Sequence, residues 1–220
     1  MHPGTARRVP PGSRTEAFQA LPSTGYARWG KRLFDIIVGS ALLLVSLPVM
    51  AAIGVALRIS LGSGVLFRQI RTGRHGNLFT MLKFRTMLPD RRMANRPFEG
   101  PDRRVRNKDP RDPRHTPLGR MLRRSSLDEL PQLLNVLKGD MSLVGPRPEV
   151  EVLAAGFLDH PRHAVRPGMT GAWQVSPMRA DAVIRDGLDL DERYVATMSL
   201  RGDVRILLRT AGAMLRFTGS

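Results

Sequence analysis

The sequence predicts a mainly α-helical fold with one small β-hairpin, attached to a membrane from one side as a monotopic protein. Its N-terminal part would be a re-entrant segment, helix-break-helix, followed by a cytoplasmic domain with amphipathic interfacial helices. Three observations carry this expectation: Ile36 to Leu57 contains no charged residue, Pro48 stands inside that run, and basic residues flank it on both sides. Composition then divides the chain into a disordered basic tail at 1–26, a membrane segment at 27–60 and the main domain at 61–220.

The 220 residues suffice for one ordinary domain with an appended segment. Against 19 Asp and Glu stand 35 Lys and Arg, a formal charge of +16, which calls for an anionic partner: nucleic acid, acidic headgroups or a phosphorylated substrate. With Cys 0, a disulfide framework, a thiolate nucleophile and a Cys-ligated zinc are excluded.

The tail, rich in Pro, Gly, Ser, Thr and Arg, lacks the apolar surface needed to offset chain entropy. It is no secretory signal, because the apolar run begins too late and no small-residue cleavage site closes it. As a helix that run would reach about 33 Å, enough for a hydrocarbon layer of roughly 30 Å; a soluble core helix of this length would keep a polar stripe. Pro48 lacks an N–H and its ring clashes one turn back, so a kink or break is expected at Ser46, Leu47 and Pro48, with the Ser46 hydroxyl as a local partner for a freed carbonyl. Arg28, Lys31 and Arg32 precede the segment, and Arg58, Arg68 and Arg71 follow it. A span with both ends basic has no charge asymmetry to orient it, which favours a hairpin that enters and leaves on one face over a straight crossing.

Val65–Arg71 and Leu78–Thr86 are β-prone runs about a Gly73–Asn77 turn, a hairpin. The stretch between Pro89 and Arg114, with Pro97, Pro101, Pro110 and Pro113, many arginines and few apolar residues, reads as a mobile loop. Thr116 before Pro117 opens a helix. A second is expected near Ser126, whose spacing to Glu129 makes a capping box, with Leu127, Leu130, Leu134 and Leu137 along one face and Gly139 as the stop. Toward the C-terminus Val204, Leu207, Leu208, Ala211, Met214 and Leu215 share a helical face bordered by Arg205, Arg209 and Arg216. That face could lie in a membrane interface or against a core.

Four clusters could carry chemistry: Lys83–Met87, Ser126–Leu133, Gly145–Glu149 and Arg166–Gly171, the last followed by Trp173-Gln174-Val175. Capping is one reading of Asp128 and Glu129. Helical neighbours point about 100° apart, however, so one carboxylate is left for other work, and among Arg123, Arg124 and cations from other segments the pair suits a phosphate and a divalent metal. Arg147, held between Pro146 and Pro148, suits phosphate recognition, or the run is a surface turn. In the Arg166–Gly171 run, Gly168 and Gly171 suggest a tight turn or a close ligand approach, with plain loop geometry as the commoner reading. The five histidines, His2, His75, His115, His160 and His163, form no metal signature, and Asp35 and Asp90 read as surface groups.

Taken in order, these clusters resemble the bacterial sugar transferase family, the polyprenyl-phosphate hexose-1-phosphate transferases. The likeness begins at Lys31-Arg32-Leu33-Phe34-Asp35 and fits the minimal exopolysaccharide-priming type. It implies a monotopic enzyme of the bacterial inner (cytoplasmic) membrane whose 61–220 domain is catalytic and lies on the cytoplasmic face. The family's helix breaks at a Ser-Pro pair; here Leu47 separates Ser46 from Pro48. Many relatives carry Gly-Arg after the Trp-Gln-Val run, where this chain has Ser176-Pro177-Met178-Arg179. The resemblance further implies that Asp128 attacks the sugar-bearing phosphate of a UDP-sugar, expelling UMP and forming an aspartyl-phosphosugar that undecaprenyl (polyprenyl) phosphate displaces. Glu129, with Asp128, would bind Mg²⁺ (Mg2+), while Arg85, Arg123 and Arg147 would hold phosphates with Lys83 beside them. The implied partners are the UDP-sugar, the polyprenyl phosphate and the bilayer, with room for a homodimer and no nucleic acid.

The rival from another class is a membrane-anchored basic adaptor. It predicts aromatic residues interleaved with the cations, and there is no such ladder near Arg103–Arg114. A third reading, an inactive assembly scaffold, leaves the intact acid pair without a purpose.

Overall fold

The computed structural model describes residues 24–88, 114, 116–176 and 184–215. The tail before residue 24, the expected loop apart from Arg114, and Pro177–Arg179 lie outside these residues.

Tyr26–Gly30 is wound as a π-helical turn and continues into helix α1, Lys31–Leu61. This helix is long and apolar enough to cross a membrane, and 11% of its apolar window is buried, unlike a core helix of a soluble domain. The expected division into two halves is corrected: the backbone stays helical through Pro48, and α1 is one element. Proline removes a single N–H, the one that would bond the Leu44 carbonyl, so one rung of the ladder is lost without unwinding; one position away, Ser46 Oγ bonds the Leu43 carbonyl at 3.1 Å.

Burial on α1 falls at both ends, on Asp35 and Gly39 and then on Ile53 and Leu57, with no buried residue from 40 to 52. Arg32 donates to the Val136 and Leu137 carbonyls at 2.7 and 2.8 Å, while Ile53 and Leu57 pack with Phe84 and Leu122. Asp35 is not the surface group expected. It is 1% exposed and accepts from Lys31 Nζ at 3.2 Å, Ser142 Oγ at 3.0 Å and the Leu143 N–H at 3.1 Å. A buried carboxylate needs such partners, and two of them come from more than a hundred residues away.

Strands β1, Leu66–Thr72, and β2, Leu78–Phe84, pair antiparallel with Leu66 opposite Phe84. Helix α2, Pro117–Arg124, starts as expected, with the Gly119 N–H bonded to Thr116 Oγ1 at 3.0 Å. A Cβ at Gly119 would collide with the Thr86 carbonyl, so glycine permits α2 to start directly against the end of the hairpin.

The capping box does not form. Ser126 has φ 56° and ψ 16° and makes no side-chain cap, whereas a capping serine needs extended geometry. Leu127–Glu129 make a separate 3-10 turn, and helix α3, Gln132–Lys138, begins only after Pro131. This later start rotates the apolar face: Leu133 and Val136 are buried with Gln132 and Asn135, and Leu134 is exposed. Gly139, at φ 97°, ends α3 as expected.

The Gly-Pro-Arg-Pro and Arg-Pro-Gly-Met-Thr-Gly runs are not simple surface turns. They flank or contain β3, Ser142–Val144, and β4, Gly168–Thr170, which pair in parallel. A Cβ on Gly168 would strike the Gly145 nitrogen, so the close pairing requires glycine there. Helix α4, Glu151–Ala154, lies between them in sequence. Helices α5, Ile184–Thr197, and α6, Leu200–Leu215, complete the fold. Ile206 and Leu207 of α6 pack on the core, whereas Leu200, Val204 and Leu208 are exposed beside exposed Arg201, Arg205 and Arg209. Part of the expected face therefore packs on the core, and the rest of it is exposed beside arginines.

Candidate active site

Asp128 is presented by a sharp change of direction at the end of α2. Ser125 Oγ returns to the Met121 and Leu122 carbonyls at 2.9 and 3.1 Å, and Ser126 then takes left-handed geometry, uncommon for a non-glycine residue. The 3-10 turn that follows holds Asp128 at 8% exposure.

Two contacts fix what lies beside it. Asn135 of α3 donates through Nδ2 to the Thr80 carbonyl at 2.8 Å and accepts the Leu82 N–H through Oδ1 at 3.0 Å, locking β2 against the helix. With β2 so placed, Lys83 Nζ lies 2.6 Å from Glu129 Oε1, a charge-assisted bond in a half-buried setting. From α2, Arg123 approaches the sulfur of Met87 at 3.6 Å.

Burial above all, and then the Glu129 charge, pushes the Asp128 carboxyl up to about 6; Lys83 and Arg123 pull the other way. A carboxylate poised there is mostly ionised at neutral pH yet more basic than an ordinary one, a property suited to a nucleophile.

The structure thus brings together Asp128, Glu129, Lys83 and Arg123. Arg85 has a different setting: its Nη2 donates to the Leu61 carbonyl at 2.7 Å, at the end of α1, and its Nε is buried without a bond. Arg147 lies half-buried after β3, and its carbonyl accepts Arg162 Nη2 at 2.7 Å. Ser46 and Pro48 lie within α1.

No group of three or more His, Asp or Glu side chains gathers as a metal cage among the described residues. Mg²⁺ does not need one, since one or two carboxylates with substrate phosphates commonly suffice. Buried Asp128 and neighbouring Glu129, whose charges disfavour each other, fit that requirement.

A family model described as bacterial sugar transferase matches residues 26–217. The chain belongs to that family. Among relatives of this family, an undecaprenyl-phosphate galactose phosphotransferase of Salmonella typhimurium is 40% identical over 88% of this chain and 42% of its own length. A UDP-glucose:undecaprenyl-phosphate glucose-1-phosphate transferase of Caulobacter vibrioides is 38% identical over 84% of this chain and 69% of its own. The exopolysaccharide production protein ExoY of Rhizobium meliloti is 38% identical, over 86% of this chain and 87% of its own length. The chain therefore spans about two fifths of the Salmonella relative and most of ExoY.

Sequence reasoning missed several supports of the candidate site. Asn135 reads as an ordinary helix polar residue, and only its burial beside β2 exposes its role. Arg162 is buried and pairs with Asp191 at 3.1 Å while holding the Arg147 carbonyl, a link with no local signature. The Lys31–Asp35 spacing of four was a legible ion-pair signal.

Proposed function

We propose that this chain transfers a hexose-1-phosphate from a UDP-sugar to undecaprenyl phosphate, releasing UMP, as the first membrane step of exopolysaccharide or related glycan synthesis. The observation that carries this reading is Asp128, buried in a turn beside Glu129, Lys83 and Arg123, in a domain tied to both ends of an apolar helix.

In the first half-reaction an Asp128 carboxylate oxygen attacks the phosphorus that bears the sugar. The bond from that phosphorus to the bridging oxygen of the diphosphate breaks, and UMP leaves with the electron pair. In the second, a phosphate oxygen of the polyprenyl phosphate attacks the same phosphorus and Asp128 departs as carboxylate, leaving a polyprenyl diphosphate sugar. Lys83 and Arg123 lower charge repulsion as anionic phosphate approaches the carboxylate. Arg85 and Arg147 are proposed as further phosphate holders; the buried free Nε of Arg85 is a donor without a protein acceptor. Asp128 and Glu129 would hold Mg²⁺, which when bound supplies neutralisation of the diphosphate and of the leaving UMP.

The same reading makes α1 re-entrant by a bend at Pro48 within the one helix, not by a break between two. A straight helix of its length would separate its ends by about 45 Å, across a bilayer, yet Arg32 near one end and Leu61 at the other are bonded to one domain, and Leu130 packs against both clusters that α1 joins. Both ends then emerge on the cytoplasmic face of the inner membrane, where the exposed apolar stripe of α6 and its arginines meet the headgroups.

The test is UMP release from a panel of UDP-sugars by the protein in nanodiscs, with Mg²⁺ and undecaprenyl phosphate. Turnover with one donor that vanishes in Asp128→Asn supports the proposal; no donor yielding UMP above the Asp128→Asn background refutes it.

A further inference from the structure

At the opposite end of α1 from Leu61, a cavity of about 450 Å³ opens among Arg28, Lys31, Arg32, Arg74 and Arg166. None of Lys83, Arg85, Arg123, Asp128 or Glu129 lines it, so it is not part of the Asp128 site.

Lys31 is neutralised locally, by Asp35 at 3.2 Å and Asp203 at 2.9 Å. The arginines are not: among the described residues, the side chains of Arg32, Arg74 and Arg166 meet main-chain carbonyls and no carboxylate. Arg32 uses both terminal nitrogens on Val136 and Leu137 at the end of α3, which is ordinary helix capping. Capping of α3 accounts for one nitrogen of Arg166, its Nε on the C-cap residue Gly139, and does not account for Arg74. Arg166 bonds the Gly139 carbonyl through Nε at 2.8 Å, and Arg74 bonds the Ala164 carbonyl through Nε at 2.9 Å, so each is oriented by its Nε while its terminal nitrogens form no bond among the described residues.

Guanidiniums held near one another repel, and carbonyl contacts orient them without removing net charge. Arg166 records this: burial first, then the charges of Arg32 and Arg74, hold it below the ordinary arginine value, with the Asp35 charge opposing them. Fixed forks with spare N–H pairs around an open volume are what a phosphate group needs. Trp29, 80% exposed at the rim, is an aromatic residue of the kind that settles at a membrane surface.

We propose that this cavity is a second phosphate-binding site, separate from the Asp128 centre, in which Arg74, Arg166 and Arg28 grip a phosphate group. That group belongs either to an acidic phospholipid headgroup at the membrane surface or to a soluble phosphate.

The experiment measures thermal unfolding of the full chain in two arms. In the first, inorganic phosphate is titrated into protein held in phosphatidylcholine nanodiscs, at ionic strength kept constant with chloride. In the second, phosphatidylglycerol replaces part of the phosphatidylcholine, without added phosphate. A ligand that binds the folded form raises the midpoint with its concentration. The proposal expects a saturable rise in at least one arm, with the apparent affinity weakened roughly tenfold in Arg166→Gln and in Arg74→Gln. A rise with phosphatidylglycerol alone assigns the lipid, and a rise with inorganic phosphate assigns the soluble group. Arg28→Gln, which removes no internal hydrogen bond among the described residues and sits on an exposed side chain, should weaken the response without loss of folding. No saturable rise in either arm, or an equal rise in wild type and all three arginine variants, overturns it.

Discussion

Lys83 of β2 and Glu129 of the 3-10 turn are joined at 2.6 Å, and the two exert opposite influences on Asp128: Glu129 raises its pKa and Lys83 lowers it. Removing either should therefore shift the acid limb of the activity profile, which reports ionisation of the nucleophile, in opposite directions. In Lys83→Met the limb moves to higher pH and activity at pH 6.5 falls more than at pH 8.5. In Glu129→Gln it moves to lower pH, whatever the drop in maximal rate. Rate profiles of the two variants check this; shifts of the same sign would refute the coupling.

The raised Asp128 value also bears on stability. Folded Asp128 titrates near 6 against an ordinary 3.8, and buried Asp191 likewise titrates near 6. Between those values the folded chain holds more protons than the unfolded one, so stability falls as pH rises across this window and the full penalty is present above it. Asp128→Asn removes one such penalty, worth at most about 3 kcal/mol. The variant should be inactive yet unfold at a higher temperature than wild type at pH 7.5, with the gap closing by about pH 4. Equal midpoints at pH 7.5 would show that Asp128 carries no burial strain.

Arg85 ties the hairpin to α1 by its bond to the Leu61 carbonyl. In Arg85→Ala that carbonyl, one of those a helix end leaves without an internal partner, loses its bond, at a loss of about 1–2 kcal/mol. Hydrogen exchange should quicken at residues 58–66 and stay unchanged at 32–39. Uniform acceleration along α1 would mean that the contact is global rather than local.

Much of this fold was legible from local chemistry. The uncharged run, the hairpin about Gly73–Asn77, the Thr116–Pro117 start and the Gly139 stop each depend on residues within a few positions of one another. What was not legible depends on distant partners. Ser126 and Glu129 have capping-box spacing, but the chain leaves α2 through a left-handed serine. Strands β3 and β4 are three residues each, too short for a period-two pattern. Asp35 looks like a membrane-edge charge until Ser142 and Leu143 arrive. At the candidate site, Asp128 and Glu129 were marked by the Ser126–Leu133 cluster and its neighbouring arginines, whereas the Asn135 clamp that brings Lys83 beside them follows only from the packing of β2 on α3.

The central claim is that Asp128 carries the sugar phosphate. Full-length protein incubated with a turnover-competent UDP-sugar and Mg²⁺, without polyprenyl phosphate, then quenched and digested, allows direct mass measurement of the peptide containing Asp128. The account predicts one added hexose phosphate on that peptide, absent in Asp128→Asn and discharged when undecaprenyl phosphate is supplied before quenching. UMP-releasing turnover with polyprenyl phosphate that persists undiminished in Asp128→Asn, or an adduct located on another residue, would contradict it.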